Sequence, residues 1–236
     1  MYEPLPQLSS CAFIFDFDNT LTAFDVLDDF ISRFAVNDRW TSAERKWRRG
    51  RIGSRECLEE QLKCLRVTRK QAEKYLEAIR IDPYFPKIVA LLGASGVKPV
   101  VVSDSFYFFI DRILKNSGIT GLRIFSNQVR FQRDRVIPIF SDQGRICFSC
   151  ANCKKRYLLV HARQGRPVVY VGDGLSDLCA ARQANLVYAK AELARALRKA
   201  GKPFIPFKTI SDVYLDLMKR TTDEKTKDRK EETSAV

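Results

Sequence analysis

The sequence predicts an α/β fold: a doubly wound parallel sheet with a helical cap inserted after the first strand. Three observations carry the prediction. Short apolar runs of strand length recur along the chain, helical stretches separate them, and acidic or hydroxyl side chains follow directly on their ends. Strands alternating with helices build parallel sheets, whose strands are buried on both faces and so read as continuous apolar runs. Ligands of such sheets bind beyond the carboxyl ends of the strands.

The first run is Cys11-Ala-Phe-Ile-Phe15, with Asp16 and Asp18 directly after it. A long stretch of helical spacing follows. Phe24, Leu27, Phe30, Ile31 and Phe34 form one apolar stripe, and Leu58, Leu62 and Leu65 form another. Thr68-Arg-Lys-Gln71 has the spacing of a capping box and predicts a helix running to Ile79. Asp82-Pro83 and Phe85-Pro86 punctuate the return to the sheet. Residues 23–86 therefore read as the cap, and 1–22 with 87–220 as the core. The second strand, 97–102, ends on Ser103 and Asp104, and a helix over 106–114 follows. Residues 128–131 and 136–140 read as a β-hairpin. A helix over 155–162 leads to a third strand, 167–171, which ends at Asp173 and Asp177; a fourth strand, 186–189, precedes a helix over 191–197. From Thr221 the chain is charged and lacks aromatics, so 221–236 is expected to be disordered. No internal repeat is present.

Composition sets outer bounds. With 236 residues and 45% hydrophobic content the chain can bury a substantial core. No apolar run approaches the length of a membrane span, and residues 1–10 lack the basic flank and apolar centre of a signal peptide. A cytoplasmic location without membrane attachment is the expectation. Seven scattered cysteines suit reduced thiols rather than a disulfide framework. The net charge of +13 is densest at Arg45, Lys46, Trp47, Arg48, Arg49 and Arg51. That run could meet phosphates, but no nucleic-acid-binding module accompanies it, so it reads as a solvated helix face. The composition leaves the oligomeric state open.

Asp16 and Asp18, one residue apart past a strand, can reach the same small volume. One carboxylate can attack phosphorus while the other protonates the leaving oxygen. A carboxylate approaching a phosphate dianion needs a cation, and Mg²⁺ accepts one or two carboxylates together with phosphate oxygens and water. Gly172-Asp173-Gly-Leu-Ser-Asp177 supplies carboxylates at the end of another strand. Either cluster alone reads equally as a turn or a helix cap. Two clusters at the ends of two strands read as a site.

These segments resemble a known family. Asp16-Phe-Asp-Asn-Thr-Leu-Thr22, Val-Val-Ser103-Asp, Cys153-Lys154 and Gly-Asp173-Gly-Leu-Ser-Asp177 stand in the order of the four motifs of the haloacid dehalogenase superfamily. The resemblance spans nearly all of the predicted fold and implies a Rossmann-like catalytic core. It implies that Asp16 is the nucleophile and a metal ligand. Asp18 would be the general acid and base, with its backbone carbonyl on the metal. Ser103 would hydrogen-bond the phosphoryl group and Lys154, or its neighbour Lys155, would neutralise it. Asp173 would ligate Mg²⁺ and Asp177 would support the site.

A helical cap between the first two motifs resembles the phosphoserine-phosphatase-like branch. Within it the chain is most similar to the methionine-salvage group, which acts on 2-hydroxy-3-keto-5-methylthiopentenyl-1-phosphate. The likeness runs through Gly174-Leu-Ser-Asp177 to Leu186-Val-Tyr-Ala-Lys190. It includes Asp25, at a position where phosphoserine phosphatases usually carry a Glu that reads an amino group; Asp25 is accordingly expected to bind substrate. Ser103-Asp104-Ser105 with Phe108-Phe109-Ile110-Asp111 resembles instead the phosphocholine, phosphoethanolamine and pyridoxal-phosphate phosphatases. Methionine-salvage enzymes typically have glycines where Asp104 and Ser105 stand. The expected partner is a small phosphomonoester, with these substrates and phosphoserine as alternatives. A reading from another class, a basic binding module on the same scaffold, would be favoured by loss of a catalytic carboxylate, and none is lost.

Cys147, Cys150 and Cys153 offer three thiols where a structural zinc takes four ligands. The stretch reads as a loop that feeds the lysine into the site, and metal binding there is left open.

Overall fold

The computed structural model describes residues 7–140 and 150–234. Its strands are β1 (Ala12–Phe15), β2 (Val100–Phe106), β3 (Arg123–Gln132), β4 (Arg135–Ile139), β5 (Val168–Gly172), β6 (Leu186–Ala189) and β7 (Ile205–Pro206). They form one sheet in the order β4-β3-β2-β1-β5-β6-β7. Every pairing is parallel except β3 with β4. β1 lies at the centre, with β2 on one edge and β5 on the other. The winding reverses there, which opens a crevice at the carboxyl ends of these three strands.

Alternation along each strand divides the core between two faces. Phe13, Phe15, Val101, Val169, Val171 and Tyr188 belong to one apolar cluster. Ala12, Ile14, Val102, Val168, Tyr170 and Val187 belong to the other. The helices of the core are α5 (Phe85–Ala94), α6 (Tyr107–Asn116), α7 (Lys154–Arg163), α8 (Leu178–Ala181), α9 (Ala191–Lys199) and α10 (Ile210–Ser234). The first cluster takes apolar side chains from α5, α6 and α10. The second takes them from α7, α8 and α9.

Between β1 and α5 stand four more helices, α1 (Val26–Phe34), α2 (Arg39–Arg48), α3 (Ser54–Lys63) and α4 (Arg69–Glu77). The chain leaves and re-enters the sheet side by side, through an antiparallel bridge of Thr22 with Ile81. Phe30 of α1 holds the helices together, with ring contacts to Phe34, Tyr75 and Phe109. α4 starts on the capping box read from the sequence, Thr68 and Gln71 each bonding the other's backbone.

Three features depart from the sequence reading. β3 begins at Arg123 and pairs parallel to β2 before it turns into the hairpin. Pro86 lies in the first turn of α5, where its missing N–H costs nothing, so the Phe85-Pro86 pair opens a helix instead of only punctuating a loop. The backbone of α10 continues through Ser234, where disorder was expected from Thr221 onward. That stretch has no Gly or Pro and is rich in Lys and Glu, which are good helix formers. Among the described residues no helix is long and apolar enough to cross a membrane.

Candidate active site

Asp16 follows β1 directly, and its backbone N–H donates to Val171 of β5 at 2.9 Å. The chain then turns over Phe17 to Thr22. Asn19 takes a left-handed φ of 51°, which Asn tolerates better than most residues. The turn aims its side chains at the next strand end: Asn19 Nδ2 donates to Asp173 Oδ2 at 2.6 Å and Thr20 Oγ1 to Asp173 Oδ1 at 2.9 Å. Two neighbours of the predicted nucleophile thus orient the predicted metal ligand. Both were quoted in the sequence motif without a task.

Lys154 opens α7 and is buried. Its Nζ donates to Asp16 Oδ1 and to Asp177 Oδ1, each at 2.5 Å. Lys154 borders the cavity and its neighbour Lys155 does not. Asp177 has no spare acceptor for a ligand. Oδ1 also takes the Tyr170 hydroxyl at 2.6 Å, and Oδ2 takes the N–H groups of Asp173 and Gly174. Gly172 lets this carboxylate approach, since a Cβ there would sit 2.6 Å from Asp177 Oδ2.

Asp16, Asp173 and Asp177 offer carboxylate oxygens within 4.8 Å of one another, the one such group of possible metal ligands among the described residues. Burial, then the charges of Asp177 and Asp173, push the Asp16 pKa well above the usual carboxylate range, although Lys154 opposes them. Burial and Asp177 also raise Asp173. The donor set is all oxygen and short of positive charge, which suits a hard divalent cation held by Asp16 and Asp173.

Asp18 turns away from this cluster. Its Oδ1 accepts the N–H of Val26 at the start of α1 at 3.0 Å. Burial, then Asp25, raise its pKa well above the usual carboxylate range. Ser103, in β2, is buried and lines the cavity; its Oγ accepts the Ser105 N–H at 3.0 Å, leaving the hydroxyl proton for another acceptor.

A cavity of about 320 Å³ joins these groups to residues of the inserted helices: Asp25, Asp28, Glu44, Trp47, Cys57 and Gln61. Of these only Asp25 was singled out as a site residue from the sequence. Burial, with Asp25 and Glu44 nearby, pushes the Asp28 pKa up to about 7. Eight carboxylates line the cavity against two cations, Lys154 and Arg48. The surplus positive charge of the chain therefore lies elsewhere. Arg48 is already paired, with Glu44 at 2.8 Å and with Glu192 of α9 at 3.1 Å.

Asp25 also caps α1, accepting the Asp28 N–H at 2.9 Å. Asp25→Ala is expected to lower stability by about 1 kcal/mol, and Asp25→Asn, itself a good cap, to keep it. Urea denaturation followed by circular dichroism checks the pair.

Of the three loop cysteines, Cys147 lies outside the described residues. Cys153 is buried and Cys150 half-buried.

With this geometry in hand, comparison with known proteins is informative. A family model described as Putative Phosphatase matches residues 11–193. The 2-hydroxy-3-keto-5-methylthiopentenyl-1-phosphate phosphatase of Geobacillus kaustophilus is 28% identical over 209 residues, covering 87% of this chain and 94% of that protein. A phosphoserine phosphatase of Archaeoglobus fulgidus is 29% identical over 178 residues, 73% of this chain; the match spans only 50% of that longer protein. The fold is similar to a solved phospho-aspartyl intermediate analogue of phosphoserine phosphatase. The TM-score is 0.65 at 20% identity, with 86% of this chain and 96% of that one covered.

Proposed function

The chain belongs to this phosphatase family, of the haloacid dehalogenase type, and from that premise we propose that it hydrolyses a small phosphomonoester through an aspartyl phosphate on Asp16. The observation that carries the reading is the buried cluster in which Asp16, Lys154 and Asp173 meet at the ends of separate segments. An oxygen of Asp16 attacks phosphorus, and the bond to the leaving alkoxide breaks. Asp18, whose pKa burial raises, protonates that alkoxide. It then takes a proton from the water that attacks the phosphoenzyme, and phosphate leaves. Lys154 holds Asp16 in place and offsets the charge of the phosphoryl oxygens. Ser103 donates its hydroxyl to one of them.

Mg²⁺ held by Asp16, Asp173 and the Asp18 carbonyl would supply the positive charge that lets a carboxylate approach a phosphate dianion. Phosphate release is expected with Mg²⁺ and not with EDTA or Ca²⁺, because Ca²⁺ takes more ligands and would occupy both oxygens of Asp16. Equal turnover with the two ions would refute this metal site.

The methionine-salvage substrate named for the Geobacillus relative is the first to test. The acidic cavity wall favours a second reading, a phosphorylated alcohol that carries an amine or a quaternary ammonium, such as phosphoserine, phosphoethanolamine or phosphocholine. Phosphate release from a panel containing all of these, and pyridoxal phosphate, ranks the two readings. In the same panel Asp25→Asn should raise KM or reorder the substrates while leaving kcat on p-nitrophenyl phosphate within about twofold, since it removes binding rather than phosphoryl-transfer groups. We further propose that α1–α4 act as a cap on the site.

A further inference from the structure

The geometry points to Asn152 as a positioning residue whose buried amide sets both Ser103 and Lys154, the two groups proposed to meet the phosphoryl oxygens. The inference rests on the phosphatase reading above, which gives Asn152 no task. It starts from a break in the sheet. β2 and β3 pair from Val100 with Arg123 to Val102 with Phe125, and pairing resumes only at Phe106 with Asn127. Between these points residues 103–105 of β2 lie opposite Ser126 alone, so the regular ladder is interrupted. Irregularities of this kind re-aim side chains near active sites. Here the break falls where Ser103 enters the cavity.

A carbonyl that loses its ladder partner inside a protein needs another donor. Two asparagines supply donors at this break. Asn127 Nδ2, from β3 itself, donates to the Asp104 carbonyl at 2.6 Å. Asn152 comes from outside the sheet, and its Nδ2 donates to the carbonyls of Ser103 at 2.9 Å and Phe125 at 2.8 Å. Asn152 is buried. Its Oδ1 accepts the Tyr157 hydroxyl at 3.2 Å, and its N–H donates to Asp104 Oδ1 at 3.1 Å. Tyr157 lies on α7 three residues past Lys154, and its ring packs on Phe125 with centroids 4.3 Å apart. One side chain thus joins β2, β3 and α7, two residues before Lys154. The start of α7 is fixed on the sheet at the place from which Lys154 reaches Asp16. An amide suits the task, since one nitrogen carries two protons and the oxygen is left to accept. Aspartate would set a carboxylate against both carbonyls, and serine could meet only one. A substrate contact is a poorer account of Asn152, because its amide is engaged on both sides and does not border the cavity.

The test uses the full chain with Mg²⁺ and has two readouts. In turnover of p-nitrophenyl phosphate, Asn152→Ala should lower kcat by about ten- to hundredfold, the scale of a slightly misplaced reacting group. KM should change less. Combined with Ser103→Ala, it should lose less than the product of the two single losses. The second readout is thermal unfolding, which needs no turnover. Lys154→Met should lower Tm much less in the Asn152→Ala background than in the unaltered chain, because the ion pair it removes is already loosened. Asn127→Ala opens the same break in the ladder without removing a bond to the loop, so its fall in Tm should add to that of Lys154→Met. Additive falls for Asn152 and Lys154 would overturn the proposal. So would equal coupling for Asn127, multiplicative losses with Ser103→Ala, or a rise in KM at constant kcat. If Asn152→Ala does not fold, Asn152→Ser, which keeps one donor, goes through the same comparisons and decides alone. A chain inactive on every phosphomonoester would defeat the phosphatase reading and still leave the Tm comparison to decide whether Asn152 places Lys154.

Discussion

Asp16→Asn is expected to lower turnover on the order of a millionfold, the scale for loss of a covalent nucleophile, and to leave no phosphoenzyme. Asp18→Asn should behave differently. Asparagine can still accept the Val26 N–H that holds Asp18, so the local backbone is kept while the proton-transfer group is lost. Losing an acid–base group costs about a hundredfold to ten-thousandfold. With p-nitrophenyl phosphate the leaving group needs little protonation, so the first step suffers less than the second. Single-turnover mixing of Asp18→Asn should give a burst of nitrophenol and a slowly decaying phosphoenzyme that hydroxylamine cleaves. Asp16→Asn should give neither. A normal phosphoenzyme in Asp16→Asn would move the nucleophile to another residue.

Lys154→Met should be the most damaging single change to the fold itself. Burial works against the charge of Lys154, but Asp16 and Asp177 beside it outweigh that and hold its pKa well above normal. Methionine keeps much of the volume and leaves both carboxylates buried without their cation. Removing one partner of a buried ion pair costs about 3–5 kcal/mol, equivalent to a fall in Tm of roughly 6–20 °C for a chain of this size. Activity should vanish with it. Lys155→Met is the control, and it should change neither Tm nor turnover appreciably. Equal losses in the two variants would contradict the geometry at Asp16.

The centre of the site was legible because each piece is local. A buried strand announces itself as an apolar run, and a polar residue at its end can face only the crevice, so Asp16, Ser103 and Asp173 could be placed from short windows. The choice between Lys154 and Lys155 could not, because adjacent residues on a helix differ only in direction, and direction is set by packing. The cavity wall was illegible for a related reason. Glu44, Trp47, Ser54 and Gln61 sit among ordinary amphipathic helices, and only the packing of α2 against α3 turns them toward the aspartates. Asn152 carries no pattern at all, since its worth lies in reaching carbonyls 27 and 49 residues away. Pro86 was misread because proline marks both the end of one element and the first turn of the next.

The central position of β1 bears on how the chain is made. Synthesis runs from the amino end, yet β1 must wait for β2, about 85 residues later, and for β5, about 155 residues later, before both of its edges are covered. At ~5–20 residues per second, that is roughly 8–30 s before a strand apolar on both faces has a neighbour on each edge. Folding on the ribosome can complete neither the crevice nor the nucleophile's surroundings until β5 has emerged. Nascent chains arrested before residue 172 should therefore be bound by chaperones and sensitive to protease, and those arrested well beyond it should resist both.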